Sequence, residues 1–566
     1  MRYKMILTSL SARLCKHLQE VLFGLVAMLA YLLGIFWGLP YAVRSENVHG
    51  WDVDSVNGLQ TLSELSNLIS AKPGWWTAYP VFHYLLLGVS YVPYFGYLYL
   101  TNGIGPSTPT FPYGLKDPES TLRHLVLIGR VLTLAMAAGV VLNAYLTAKI
   151  LWDERTARYA GSIAALSTPM IYYSATGNLD VPVLFWVSLV LLLVAKCLVS
   201  GFTTRRAISL GVISAIAVAT KDQAYAPVGV ALIGLIFAQR YRRSSNETPF
   251  AHWRPSLVLV LSGLLGFILA SGLLLSPSRF VDHIRFVLDF RTTFWNVANL
   301  DILYSPTLSG YTHLSLDFIY ALYNALGPFF LLAGTIGALL TIRRSAFARI
   351  LVLGLVSMVV FVVFPILHMQ YRYILLPAYI MSLFAGWAIT FGLKQDALIR
   401  RMTFVLTVCS FLWLGFRMID TNYARFFDER YSAAAWINKN ASPGDRIGVT
   451  SLNGLPPINP GFLVLSLDGS QITEAIRRHE LQYVLVYPDF SNTPDEVHSK
   501  LFPESTYNAL EDGTAGYDRV ALLKTTSIFE PLWKLSPLFP NHLINKRVEI
   551  FRLRRDDTLA RNGYIQ

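Results

Sequence analysis

The feature that most constrains this chain is a series of apolar runs, each close to the length of a membrane-spanning helix. Such a helix needs about 20 mainly apolar residues to cross the hydrocarbon core. Runs of this kind lie near 21–39, 123–147, 158–173, 180–199, 207–220, 225–239, 256–276, 316–341, 350–366, 373–393 and 402–418. The shorter ones suit buried or tilted helices in a bundle. Charged residues make up only 14% of the 566 and hydrophobic residues 54%. An average soluble domain carries about 25% charged residues, so a soluble enzyme, a disordered chain and a fibrous chain are excluded. Cys15, Cys197 and Cys409 lie in or beside apolar runs and form neither a disulfide framework nor a metal-binding spacing.

Charge placement orients the runs. The first follows Arg2, Lys4, Arg13 and Lys16 and ends in the bulky FWGLPY. That reads as a signal anchor rather than a cleaved signal peptide. A further apolar run, 79–100, is ambiguous. If it does not span, the cytoplasmic pieces are the amino terminus, 149–158, 196–206, 240–254, 342–349 and 394–401, and every one is basic. If it spans, five of these six basic pieces face outward, against the excess of Lys and Arg in cytoplasmic loops. Segment 79–100 is therefore expected to lie on or dip into the outer surface, which suits its prolines and aromatics. The six pieces together carry a net +15, more than the +12 of the whole chain. The basic balance records membrane sidedness and gives no reason to expect nucleic acid as a partner.

The expected architecture is an α-helical polytopic membrane domain, residues 1–417, of about eleven spans with long outer loops at 40–122 and 277–315. Residues 418–566 form an expected outer α/β domain. Within it, 431–440 and 471–480 read as helices, and 446–452, 462–468 and 483–488 as strands. The amino terminus is expected inside and the carboxyl terminus outside.

Chemistry-bearing residues gather at the expected outer ends of the spans. Asp52 and Asp54 follow the first span. A carboxylate there serves as a general base if a substrate hydroxyl reaches it, or simply as a soluble loop residue. Asp180 lies at the outer end of one span, as a helix cap or a site residue. Lys221 sits in ATKDQAY on a tight outer turn. Ionisable groups at membrane depth are functional candidates by default, although a structural Lys221–Asp180 or Lys221–Asp222 pair is the plain alternative. His368 and Arg372 lie in HMQYRYILLP. Arginine suits phosphate, while an interfacial belt with a snorkelling Arg372 is the plain reading. Taken together, these groups suit a lipid phosphate in the outer leaflet.

The motif order resembles the GT-C superfamily of polyprenyl-phosphate-sugar-dependent glycosyltransferases. The branch is the one with protein O-mannosyltransferases, lipid A aminoarabinose transferases and rhizobial galacturonosyltransferases. The resembling pieces are WDVDS at 51–55, YPVFHYLL at 79–86, the span at 130–151, STPMIYYSATGNLDVPVLFW at 167–186, TKDQAY at 220–225, HMQYRYILLP at 368–377 and DERYSAAAWINKN at 428–440. The resemblance implies a catalytic Asp in the first outer loop, and Asp54 matches best. The family usually has Asp-Glu there. Here Ser55 takes the Glu position, which leaves the division of labour between Asp52 and Asp54 open. Pro80 is followed by Val81 where the family often has two prolines, and Tyr79 stands where the lipid A enzyme has lysine, so its substrate class does not carry over.

The implied function is inverting transfer of a sugar from a polyprenyl-phosphate donor to a lipid, glycan or protein hydroxyl at the outer face of a bacterial inner membrane. Asp54 or Asp52 acts as base. Lys221 and Arg372, supported by His368 and His83, hold the leaving phosphate. Asp180 orients the lysine or the sugar, and Arg130 is a further binding candidate. The scheme requires no cofactor and no divalent cation. A lipid-linked sugar transporter or flippase, or a non-catalytic receptor with an outer domain, are the alternatives. A transporter is expected to carry mid-span charges and interrupted helices in two halves.

Overall fold

A computed structural model describes residues 24–42, 44, 48, 50–51, 56, 58–70, 79–241, 249–288, 304–450, 455–466, 469–487, 503–525 and 547–554. Asp52, Asp54 and Ser55 lie outside the described residues. The chain divides into two compact units. The first comprises Met1–Phe36, Asp54–Thr101 and His124–Ile419, and the second comprises Trp37–Val53, Asn102–Arg123 and Asp420–Gln566. The second unit thus draws on two stretches of the first long loop as well as on the carboxyl-terminal region.

The first unit is helical. Its helices include α1 Gly58–Ile69, α2 Phe82–Leu100, α3 Pro118–Leu151, α4 Glu154–Leu166, α5 Thr168–Tyr173, α6 Asp180–Ser200, α7 Thr204–Thr220, α8 Tyr225–Tyr241 and α9 Pro249–Ala270. There follow α10 Pro277–Leu288, α11 Leu308–Leu326, α12 Pro328–Ile342, α13 Ala346–Phe361, α14 Leu375–Gly392 and α15 Ala397–Phe426. Helices α3 and α15 run on into the residues of the second unit.

Among the described residues, seven helices are long and apolar enough to cross a membrane, or eight if one bent pair counts as a single span. The expected count of about eleven is not confirmed, for local reasons. The 158–173 run breaks into α4 and α5 where Pro169 enters the first turn of α5, because proline cannot continue the preceding hydrogen-bond ladder. The 207–220 run forms α7, which has only 17 residues. The 316–341 run becomes α11 and α12, bent by 110° at Gly327–Pro328. The run at 21–39 is only partly described. Loop 277–315 holds a helix of its own, α10, and the start of α11.

Burial separates core helices from peripheral ones. In the apolar window of α14, 83% of residues are buried, against 17% in α9. Leu257, Val260, Leu261, Leu264 and Leu265 of α9 are exposed, as a lipid-facing stripe requires. In lipid, apolar side chains give no mutual hydrophobic drive, so helices associate through close backbone packing at small residues. Gly211 of α7 shows this. A Cβ there would meet Leu259 O at 2.7 Å and Gly263 N at 2.8 Å on α9.

The second unit contains a five-stranded sheet in the order β2-β1-β3-β5-β4, with β1 Arg446–Val449, β2 Leu463–Ser466, β3 Tyr483–Val486, β4 Tyr517–Lys524 and β5 Arg547–Leu553. Strand β1 pairs in parallel with β2 and β3, and β5 is antiparallel to β3 and β4. Helices α16 Glu429–Asn440, α17 Gly469–Arg477 and α18 Glu504–Glu511 cover it. Alternation with period two sends Tyr483, Leu485, Val548 and Ile550 into one core with Ala433 and Ile437. It sends Val484, Val486 and Phe551 into another with Ile472 and Tyr507.

Candidate active site

The site in the first unit starts from Asp180, in the first turn of α6. A carboxylate there is favoured by the unpaired N–H groups of a helix start. Asn178 Oδ1 accepts from the Asp180 backbone N–H at 2.8 Å, which shapes the entry. Lys221 lies between α7 and the short turn Asp222–Ala224, in extended backbone. Its Nζ donates to Asp180 Oδ1 at 2.6 Å and sits 5.5 Å from the centre of the Tyr79 ring. Arg372 follows from the single 3-10 turn Tyr371–Ile374 that leads into α14. Its Nε is 3.8 Å from Asp180 Oδ2. All three side chains are more than nine-tenths buried. Two cations therefore share one carboxylate within a poorly solvated site.

Asp180 and Arg372 line a groove of about 340 Å³, and Lys221 pairs with Asp180. Asp180, Val183, Leu184 and Val187 form one of its walls. Their spacing places them on one face of α6, and seven residues of helix carry that wall about 10 Å. The remaining lining includes Pro227, Met358, Arg372, Leu375 and Leu376. The groove is charged at one end and apolar along its length.

The other candidates take different places. Arg130 of α3 is fully buried, and its Nη1 donates to Ile35 O at 2.6 Å. Its side chain also lies against Gly177, where a Cβ would sit 3.6 Å from Arg130 Cγ. Gly177 O in turn accepts from Val56 N at 3.3 Å. His83, in the first turn of α2, is buried, and burial pushes its imidazole down to about 4, so it is neutral near pH 7. His368 is also buried. Neither histidine lines the groove that Asp180 and Arg372 share. Of the two lysine pairings open at the sequence level, the structure shows Lys221 with Asp180.

Sequence reasoning missed a second polar group. Glu64 of α1 pairs with Arg279 of α10, and His283 of α10 lies 3.2 Å from Asp222. The signal was present: Arg279 and His283 are four residues apart on one helix face, inside a stretch read as loop.

No family model and no curated protein matches the chain. Among solved structures it is similar to ArnT from Cupriavidus metallidurans bound to undecaprenyl phosphate, at 13% identity and a TM-score of 0.48, over 94% of this chain and 97% of that one. It is similar to the Archaeoglobus fulgidus oligosaccharyltransferase in the apo form at 13% identity and a TM-score of 0.43, over 82% of this chain and 69% of that one. The archaeal oligosaccharyltransferase AglB, in complex with an inhibitory peptide and a dolichol-phosphate, gives 12% identity and a TM-score of 0.39, over 83% and 69%.

Proposed function

We propose that the chain is a membrane glycosyltransferase. It moves a sugar from a polyprenyl-phosphate carrier to an acceptor hydroxyl, with inversion, at the outer face of a bacterial inner membrane. The observation that carries this reading is the groove lined by Asp180 and Arg372, with Lys221 bonded to Asp180. A prenyl chain matches its apolar walls. A phosphate group matches the two cations gathered at Asp180.

In this reading Asp54 removes the acceptor proton. The acceptor oxygen then bonds to the anomeric carbon from the face opposite the phosphate. The carbon–oxygen bond to the phosphate breaks, and the phosphate leaves with the electron pair. Negative charge grows on that phosphate, where Lys221 and Arg372 stabilise it. Asp180 holds both cations in place. Arg130 supports the Gly177 segment. Val56, two residues after Asp54 in the sequence, bonds to Gly177, three residues before Asp180. Asp52 is the second carboxylate. His368 lies on the segment that delivers Arg372, and His83 lies outside the groove lining.

The test is Asp54→Asn in purified, membrane-reconstituted protein, with transfer from a polyprenyl-phosphate sugar measured against binding of the same donor. Transfer should fall at least about a hundredfold with donor binding retained. Normal turnover would reject the base assignment. A transporter reading has one observation in its favour, the 110° break between α11 and α12. Donor movement across vesicles without transfer would support it instead.

A further inference from the structure

A second cavity, of about 440 Å³, opens on the other side of the turn that carries Lys221. Asp222 and Tyr225 line this one, whereas Gln223 and Ala224 line the groove, and the two cavities share no lining residue. Tyr79 lines the second cavity, and its ring lies 5.5 Å from Lys221 Nζ. Gly272 shapes the wall. It has φ +78°, and a Cβ there would meet Val81 Cγ2 at 2.7 Å, so only glycine lets the end of α9 approach the 79–81 segment this closely.

The chemistry of the lining is specific. Arg279 is neutralised by its buried partner Glu64. What remains is the Asp222 carboxylate, held 3.2 Å from His283 Nε2 and keeping a fifth of its side chain accessible. Ser276 Oγ is buried with no hydrogen-bond partner among the described residues. Phe267 and Phe280 meet edge to face at 6.0 Å and form an apolar wall. Carboxylate, imidazole, hydroxyl and aromatic surface in one cavity suit a ligand with many hydroxyl groups on one side and C–H groups on the other. Among the described lining residues the one cation, Arg279, is paired with Glu64, so this lining disfavours a phosphate or a carboxylate.

We propose that this cavity is a sugar-binding subsite, taking a neutral or amino-substituted ring, with Asp222 and His283 as its specificity-determining residues. In the context of the proposed function, on which the assignment to transfer rests, the ring belongs to the donor or to a glycan acceptor. Tyr79 then separates the ring from the phosphate held at Lys221.

The test uses the full chain in detergent. Neutral, amino and uronate methyl glycosides are screened by saturation-transfer NMR, and undecaprenyl phosphate binding is measured separately. At least one neutral or amino glycoside should bind and uronates should not. Asp222→Asn and His283→Gln should each weaken that binding by about tenfold, the scale of one hydrogen bond to a charged group. Undecaprenyl phosphate binding should be unchanged in both, which also shows that they fold. Lys221→Ala should do the reverse, losing the phosphate ligand and keeping the glycoside. Binding of no glycoside, binding of uronates alone, or wild-type affinity in both cavity variants would overturn the proposal. Loss of the Lys221 effect alone would overturn the groove reading and leave the sugar subsite standing. Sugar-loaded polyprenyl phosphate separates the sources: weaker donor binding in the Asp222 variant identifies the donor ring, and a raised acceptor KM alone identifies the acceptor.

Discussion

Arg430 offers the sharpest test of how the second unit is held together. It is fully buried at the start of α16. Its Nη2 and Nε donate to the two oxygens of Asp428 at 2.8 and 2.9 Å. Its guanidinium carbon lies 3.8 Å from the centre of the Trp51 ring and 5.5 Å from that of Trp37. Trp37 Nε1 also donates to Asp428, at 3.1 Å, and Trp51 Nε1 donates to Leu455 O, at 3.0 Å. Arg430→Met keeps much of the aliphatic stem but removes the cation. Loss of this partner at the buried Asp428 carboxylate then costs about 3–5 kcal/mol, the usual range for breaking a buried ion pair. In a unit of this size 1 kcal/mol moves Tm by about 2–4 °C, so the expected drop is about 6–20 °C. The double variant Arg430→Met/Asp428→Asn removes the buried negative charge, although its single amide oxygen keeps either the Trp37 bond or the α16 cap, which use different carboxylate oxygens. It should recover part of the loss. Thermal unfolding of the full chain, followed by tryptophan emission, reads this directly because Trp37 and Trp51 flank the lost cation. A drop below about 2 °C, or a double variant no more stable than the single one, would refute the reasoning. Trp51 is also the residue before Asp52, so the single variant should lower kcat more than it raises the donor KM.

Other outcomes are expected elsewhere. Lys221→Met should raise the donor KM at least about tenfold, since a charge-assisted hydrogen bond is lost; Lys221→Arg should restore part of it, and titration with undecaprenyl phosphate checks both. Gly211→Leu should force α7 and α9 apart at a cost of about 1–3 kcal/mol or more, seen as a lower yield of monodisperse protein in size-exclusion chromatography. Burial pushes Tyr507 up to about 12, with the Glu549 carboxylate adding to it, and burial does the same for Tyr517. The folded state holds these phenol protons longer than the unfolded chain, so their stabilisation is present below pH 10 and lost as pH rises toward 12. Denaturant midpoints across that window, with tyrosinate absorbance, check the sign, and a rising midpoint would contradict it.

The missed elements have physical explanations. Strands β4 and β5 carry the same period-two alternation as β1 to β3, but charges interrupt it: Asp518 and Arg519 in β4, Glu549 and Arg552 in β5. Glu549 is nevertheless fully buried, because Tyr507 donates to it at 2.9 Å and Arg519 and Arg547 pair with it. A charge reads as exposed until its partners are known. The same holds for Glu64 and Arg279, which are 215 positions apart in the numbering yet form a buried pair.

By itself the sequence determined which segments are apolar, which connections are basic, and that ionisable residues cluster where apolar runs end. Those properties follow from transfer free energies, which act residue by residue. Only the tertiary structure decided that Asp180 joins Lys221 and Arg372, that Arg130 turns to Ile35, and that Asp222 and His283 open a separate cavity. Pairing is a matter of distance. Side chains 41 or more positions apart meet only because close packing at small residues such as Gly211 sets where each helix end lies.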